Sequence, residues 1–278
     1  MTSKEVIPIL KWVGGKRKLL NHIIPKFPKN INNYHELFIG GGSILLRFLS
    51  LVQENEIKVN KIYAYDSNPV LIEFYKQVQQ NYKELYETIM KIKKAGEKCD
   101  KSEYYYYIRQ CYNSTRDLNI ARIAEFVYLN KTCFRGVFRL NKSGGFNVPY
   151  GNYKNPEIVN EEHLKSVSEL IKDVTFICCD FEDVKNIKKK DFVYMDPPYV
   201  PEAKGGFVSY SKVGFTEEKH EALFKICNKM KCKWVLSNSN TETVREALKK
   251  FNIEEIVARR AINSTNPAAK TKEVIIYN

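Results

Sequence analysis

The sequence predicts an α/β protein, an open Rossmann-like sheet whose alternation of strand and helix is broken by a helical and β-hairpin insert. Three observations carry this. Apolar runs rich in β-branched and aromatic residues, Lys61-Ile62-Tyr63-Ala64-Tyr65-Asp66, Val174-Thr175-Phe176-Ile177-Cys178-Cys179-Asp180 and Asp191-Phe192-Val193-Tyr194-Met195-Asp196, each stop at an acid. That is the pattern of buried strands ending at the sheet edge where ligands bind. Residues 34–39 run as a further strand into Gly40-Gly41-Gly42-Ser43, after which Ile44, Leu45, Phe48 and Leu49 recur at helical spacing. Residues 70–129 then show helical periodicity alone (Leu71, Phe74, Tyr75 and Val78, later Leu85, Ile89 and Ile92), which interrupts the alternation. Sheet texture returns after the insert, with more strands expected at 234–236, 253–258 and 273–277 and a helix from Glu217 to about Met230.

A chain of 278 residues is long enough for one sizeable domain plus an insertion. Its seven cysteines are odd in number and contain no Cys-x-x-Cys pair, so neither a zinc site nor a disulfide framework is suggested and reduced core thiols are the simplest expectation. No leader-like segment or membrane-length apolar run is present, and the chain is expected to be soluble and intracellular. Forty-five Lys and Arg against thirty-two Asp and Glu give a formal charge of +13, suited to a polyanionic partner. Lys185, Lys188, Lys189 and Lys190 read most simply as a solvated loop before the Asp191 strand.

Asp196 is followed by Pro197, Pro198 and Tyr199. Neither proline donates to a sheet ladder, both stiffen the turn, and the flat Tyr199 ring lies beside carbonyls without neighbouring donors. The result is a slot for something planar bearing an amino group. Near the start, Leu10-Lys11-Trp12-Val13-Gly14-Gly15-Lys16 pairs glycines that permit close backbone approach with a lysine able to meet an anion, at a spacing unlike a nucleotide P-loop. The glycines at 40–42 lack the dinucleotide fingerprint, which argues against a nicotinamide enzyme. Asp66, closing the second strand of a Rossmann-like half, is placed to take ribose hydroxyls; capping the helix that starts near Pro69 is the plainer role, and the two are compatible. The tyrosines at 104–107 are expected to divide between core and surface. Residues 130–151 carry two short aromatic or β-branched runs flanking Asn141-Lys142-Ser143-Gly144-Gly145, a hairpin-like turn, with Arg135 and Arg139 protruding from the first run. A basic ribbon of this kind either enters a DNA major groove or is an ordinary exposed hairpin.

Taken in order, the Lys11 to Lys16 motif, the glycine loop, the 130–151 segment and Asp196-Pro197-Pro198-Tyr199 resemble the Dam-type (alpha-group) DNA adenine-N6 methyltransferases over almost the whole chain. The resemblance implies an S-adenosylmethionine-dependent methyltransferase domain at residues 1–67 and 166–278, with a target-recognition domain at 68–165. It implies cofactor contacts from Trp12, Gly14, Lys16, Phe38, Gly40, Gly42, Asp66, Asp180 and Phe181, with Lys16 at the amino-acid end and Asp180 accepting from the adenine amine. By the same resemblance Arg139 and Lys11 read bases, Val137 and Pro149 make apolar contacts, and Tyr153 lies against double-stranded DNA. Many relatives read GATC, but Arg135 stands where they often carry Asn, a change that can redirect recognition, for instance to another four-base palindrome. A cognate restriction endonuclease acting separately would fit such an enzyme.

The chemistry implied is attack of the adenine amine on a sulfonium methyl. Hydrogen bonds from the amine to Asp196 and the Pro197 carbonyl favour a pyramidal nitrogen, and Tyr199 stacks on a base flipped out of the duplex. Sulfur leaves as a neutral thioether, so no metal is required. The alternatives are an amino-methyltransferase for cytosine-N4 or RNA, and a non-catalytic DNA-binding relative.

Overall fold

The computed structural model describes residues 6–201, 215–259 and 270–278. Seven strands form one sheet: β1 (Asn30–Glu36), β2 (Lys58–Asp66), β3 (Val174–Cys178), β4 (Phe192–Met195), β5 (Lys233–Ser239), β6 (Asn252–Arg259) and β7 (Lys270–Tyr277). Their order is β3-β2-β1-β4-β5-β7-β6. β1 pairs in parallel with β2 and β4, and β4 with β5, whereas β7 runs antiparallel between β5 and β6. This is the Rossmann-like sheet the sequence predicts. The order reverses between β1 and β4, the switch point at which open α/β sheets bind ligands.

The strands begin earlier than apolar texture suggests. β1 starts at Asn30 rather than at residue 34, and β2 at Lys58 rather than Lys61. Polar residues there still complete backbone pairs, Asn30 with Lys58 and Asn33 with Lys61, so the ladder extends past the apolar stretch that periodicity detects.

By contact the chain divides into two compact units, one made of Met1–Gly15, Gly40–Ser50 and Asn68–Phe176, the other of Lys16–Ile39, Leu51–Ser67 and Ile177–Asn278. The second is built around a core that includes Leu37, Val193, Met195, Trp234, Leu236 and Ile276, all nearly or wholly buried. All four residues of β4 are buried, which carries the following Asp196 to the edge of an apolar interior.

The first unit is mainly helical. Residues 70–129 resolve into α3 (Pro69–Ala95), α4 (Lys101–Ser114) and α5 (Ile120–Thr132), capped by the side chains of Asn68, Asp100 and Asn119; α1 (Leu20–Ile23) and α2 (Ser43–Gln53) precede them in the chain, and α6 (Glu161–Leu170), α7 (Glu217–Lys229) and α8 (Glu242–Ala247) follow. Aromatic rings fill the interior, Tyr75 lying parallel to Phe176 at 5.2 Å and Phe126 meeting Phe74 and Phe138 edge-on. The tyrosine run divides as expected, with Tyr105 fully buried and donating to the Val148 carbonyl, and Tyr106 and Tyr107 exposed.

The expected hairpin turns at residues 141–145, but two isolated antiparallel bridges, Cys133 with Tyr150 and Leu140 with Phe146, replace a continuous ladder. The reason is local. Arg135 and Gly136 take φ of 54° and 66°, coiling Phe134–Gly136 into a 3-10 turn, and a Cβ on Gly136 would overlap the Lys11 side chain. The cysteines depart from the core-thiol expectation: Cys133, Cys227 and Cys232 are buried, but Cys99 and Cys178 are exposed because they fall at a helix end and a strand end.

Buried Asn130 holds the amino-terminal segment of this unit. Its Oδ1 accepts from the Lys11 amide at 2.9 Å and its Nδ2 donates to the Lys11 carbonyl at 2.7 Å. Asn130→Ala leaves both backbone groups unpaired, so unfolding free energy should fall by about 1–3 kcal/mol and the Lys11 amide should exchange its hydrogen faster. Native-state hydrogen exchange measures this, and an unchanged Lys11 rate would mean that other contacts hold the segment.

Candidate functional site

At the end of β4 the chain enters Asp196-Pro197-Pro198-Tyr199 with Pro197 buried and Pro198 exposed. Asp196 Oδ1 lies 3.0 Å from Lys16 Nζ, and Lys16 is itself 7% exposed. The same ammonium sits 4.6 Å from the centroid of the Tyr199 ring. Tyr199 donates its hydroxyl to Glu273 Oε2 at 2.7 Å, which fixes the ring from the far side. Beyond it, Val200 is held at both backbone groups: its amide donates to Asn238 Oδ1 at 3.1 Å and its carbonyl accepts from Ser239 Oγ at 2.6 Å. The turn is thus fastened by Lys16, Glu273, Asn238 and Ser239.

Burial pushes the Asp196 carboxyl up to about 6; the Lys16 ammonium opposes this, and the Glu273 carboxylate adds to the rise. Burial, with Asp196 and Glu273 nearby, also drives the Tyr199 phenol well above its ordinary value, so it stays a neutral donor. At neutral pH the site therefore holds an ionised, acceptor-only carboxylate beside a fixed ring.

Asn238 and Glu273 were not signalled by sequence reasoning. The Ser-Asn-Ser-Asn run closing β5 is a visible clue, since polar residues ending an apolar strand lie on the same edge as Asp196. Glu273 needs the topology: antiparallel β7 pairs it with Ser239, which brings an early residue of β7 to the ends of the parallel strands.

The same unit carries four more of the candidate residues. The Phe38 and Phe181 rings stand 5.4 Å apart, with Phe215 against both. Half-buried Asp66 ends β2, and its carbonyl accepts from the Cys179 amide. Asn68 rather than Asp66 caps α3, accepting from the Val70 amide at 3.1 Å. The plainer role for Asp66 is therefore filled by its neighbour. Asp180 caps the Phe181–Asp183 turn through the Glu182 amide and pairs with Lys219 at 3.0 Å.

In the other unit the glycine loop is shaped by its neighbours. Gly40 and Gly42 have φ of 48° and 75°; a Cβ on Gly42 would lie 2.6 Å from the Tyr75 hydroxyl, which donates to the Gly40 carbonyl at 3.0 Å. Trp12 stands against Gly40 and Gly41 and stacks on Phe138 at 5.9 Å, and exposed Gly14 turns the chain at φ 82°. Glycine is required here by Trp12 and Tyr75 as well as by backbone conformation.

The recognition candidates of that unit form a braced loop. Arg139 is exposed, and two of its five N–H donors are used on Asn147, Nε to Oδ1 at 2.7 Å and Nη2 to the carbonyl at 3.1 Å. This aligns the guanidinium plane and leaves donors on both terminal nitrogens. Tyr153 accepts from the Arg135 amide at 3.0 Å, and Lys11 Nζ lies 3.8 Å over its ring while donating to the Lys131 carbonyl. Burial depresses the Lys11 pKa. Val137 is half-buried, Pro149 is exposed, and Phe134, which sequence reasoning did not single out, is 47% exposed beside Arg135.

Among the described residues no cluster of His, Cys, Asp and Glu suits a metal ion, and no helix is long and apolar enough to cross a membrane.

Comparison with known proteins gives one consistent answer. A family profile described as D12 class N6 adenine-specific DNA methyltransferase matches residues 12–262. The type II methyltransferase M.MjaIII of Methanocaldococcus jannaschii is 39% identical, the alignment covering 99% of both chains. The type II methyltransferase M1.LlaDCHI of Lactococcus lactis is 35% identical over 98% of this chain and 95% of its own, and the DNA adenine methylase of Escherichia coli K12 is 29% identical over 96% and 93%. The chain belongs to the D12 class of N6 adenine-specific DNA methyltransferases, enzymes that transfer a methyl group from S-adenosylmethionine to adenine in DNA.

Proposed function

We propose that Asp196 is the hydrogen-bond acceptor for the target adenine amine, in a site-specific enzyme acting on duplex DNA at a short palindrome. The observation that carries this reading is the Asp196 carboxylate at the end of buried β4, paired with Lys16 and followed by a turn fastened at Tyr199 and Val200. An aromatic amine is a weak nucleophile because its lone pair is delocalised. Accepting its protons at Asp196 and the Pro197 carbonyl draws the nitrogen towards a pyramidal geometry, and Tyr199 offers its face to the base ring. A duplex hides this amine, so the base must leave the stack at a cost of a few kcal/mol.

S-adenosylmethionine supplies the electrophilic methyl group when bound. The residues of the sheet unit suit it: an aromatic pair, Phe38 and Phe181, for the adenine ring, Asp180 for its amine, and Asp66, at the end of β2, for the ribose hydroxyls. Trp12, Gly14, Gly40 and Gly42 are assigned to the same ligand by their motif. Lys16 has three N–H donors, so it can hold Asp196 and meet the amino-acid carboxylate together.

Residues 68–165 are assigned to target recognition, with Arg139 as a base reader pre-aligned by Asn147, Lys11 as a second reader, and Arg135, Val137, Pro149 and Tyr153 as further contacts. GATC is one candidate site. Pairing with a restriction endonuclease is a further proposal, in keeping with the type II names of two relatives. Sequencing methylated bases in DNA from cells expressing the protein identifies the site.

Three tests follow from this assignment. Asp196→Ala should lower single-turnover methyl transfer by about 10²–10³-fold, the scale of one positioned transition-state hydrogen bond, while calorimetric binding of S-adenosylmethionine persists. Retained turnover would place the acceptor elsewhere.

Because Asp196 must be ionised to accept, the wild-type rate should fall as pH drops through about 6. Lys16 stabilises the carboxylate, so Lys16→Met should raise its pKa and move the acid limb to higher pH. Rate profiles at saturating donor decide this, and an unmoved limb would remove Lys16 from the electrostatics of Asp196.

For the recognition loop, Arg139→Ala should cost about 1–3 kcal/mol on the cognate site and relax discrimination at one base position. Rates on every single-base variant at fixed salt measure it. A uniform drop across sequences would make Arg139 a backbone clamp.

A further inference from the structure

At the opposite edge of the sheet from Asp196, where the parallel strands begin, lies a concave cavity of about 520 Å³. Four lysines line it, one from the start of β2 (Lys58), one from the start of β5 (Lys233) and two from the turn before β4 (Lys189, Lys190). Register brings them together: Lys58 pairs with Asn30, Tyr34 of the same strand with Phe192, and Phe192 with Lys233. All lie in one compact unit.

The single acid in this lining is Asp191, and its charge is already spent. Its side chain has no exposed surface, and its oxygens accept from Asn32 Nδ2 at 2.7 Å, the Asn33 amide at 3.2 Å and the Lys188 amide at 2.7 Å, with His35 Nε2 at 3.4 Å. Asn60 extends the network by donating to Asn32. Lys233 is hydrogen-bonded to the Asn278 carbonyl, and among the described residues no carboxylate pairs with Lys58, Lys189 or Lys190. The cavity therefore gathers exposed cations around a floor of amides, without the counter-charge that usually accompanies surface lysines.

Separation from the methyl-transfer site follows from strand geometry. Asp191 and Asp196 flank β4, five residues apart, which at about 3.3 Å per residue is about 16 Å. Ligands of open α/β sheets bind at the strands' carboxyl ends, so a cation-lined cavity at the amino ends is a separate feature. It also accounts for part of the +13 charge that the recognition loop does not use.

We propose that this cavity is a second nucleic-acid site, in which Lys58, Lys189, Lys190 and Lys233 take the phosphodiester backbone of a DNA segment other than the one being methylated. The ligand is a phosphate-bearing polyanion, and DNA is the one the enzyme necessarily meets at high local concentration. Holding a second segment lets the enzyme pass between DNA segments without full release.

The test uses the full-length protein saturated with a short duplex carrying one target site. Binding of a labelled second duplex without that site is followed by anisotropy across a salt series. Wild type should bind the second duplex in the range of about 10⁻⁴–10⁻⁶ M, as non-specific contacts do. The variant Lys58→Gln/Lys189→Gln/Lys190→Gln should bind it at least tenfold more weakly, with the salt slope reduced by about 0.9 per lysine removed, while methylation of the short duplex stays unchanged. No ternary complex, or equal binding by the variant, overturns the proposal. Loss of second-duplex binding together with short-duplex methylation also overturns it, since the lysines would then belong to the first site. Titration with tripolyphosphate separates the sources: competition with the second duplex supports the site, whereas tripolyphosphate binding without any duplex binding makes it a pocket for free phosphate and rejects DNA.

Discussion

The ion pair between buried Lys16 and half-buried Asp196 is the constraint on which the chemistry rests. β4 is apolar along its whole length because it is central in the sheet, and the acid at its end is therefore drawn into surroundings that penalise charge. Uncompensated, such a carboxyl would take up a proton at neutral pH and cease to be an acceptor for an amine. Lys16, at 3.0 Å and almost fully buried, offsets the penalty. The balance leaves a carboxylate that is ionised at neutral pH yet poorly hydrated, which strengthens any hydrogen bond it accepts. Lys16 also lies over Tyr199, so one cation orders both the acceptor and the ring beside it.

Around that pair the fold supplies rigidity from strands distant in sequence. Glu273 from β7 and Asn238 and Ser239 from β5 fasten successive residues of the turn, and the two prolines limit what remains free. Positioning of this kind is what a methyl transfer from a good leaving group needs most. The recognition loop is built by the same logic with different parts. Asn147 aligns Arg139, Tyr153 ties Arg135 to Lys11, and Asn130 clamps the backbone of Lys11, so the exposed basic groups are ordered before DNA arrives.

Much of this was legible in the sequence because the signals are local. An apolar strand ending in Asp196-Pro197-Pro198-Tyr199, an acid ending β2 and a glycine loop after β1 each announce themselves within ten residues, and their order along the chain gave the family. The sequence could not show what depends on register. Glu273 reaches Tyr199 only because β7 is antiparallel, and Asn130 meets Lys11 across 119 residues. Asn30, Asn32 and Asn33 lack strand texture yet begin β1, because backbone pairing and the buried Asp191 hold them. The sequence shows that the glycine loop permits close backbone approach, but not that Trp12 and Tyr75 fill the space that side chains there would need. The lysines before β4 are exposed, as the sequence suggests, and only the sheet shows that Lys58 and Lys233 stand beside Lys189 and Lys190.

In the proposed mechanism Asp196 works as an ionised acceptor whose titration is set by burial against Lys16. Its most direct test is the pH dependence of the Asp196 side-chain carboxyl carbon shift in selectively labelled protein, read beside the single-turnover rate of methyl transfer. The carboxyl midpoint should lie near 6, coincide with the acid limb of the rate and rise in Lys16→Met. A midpoint in the ordinary aspartate range near 4, or a rate that does not follow the titration, would contradict it.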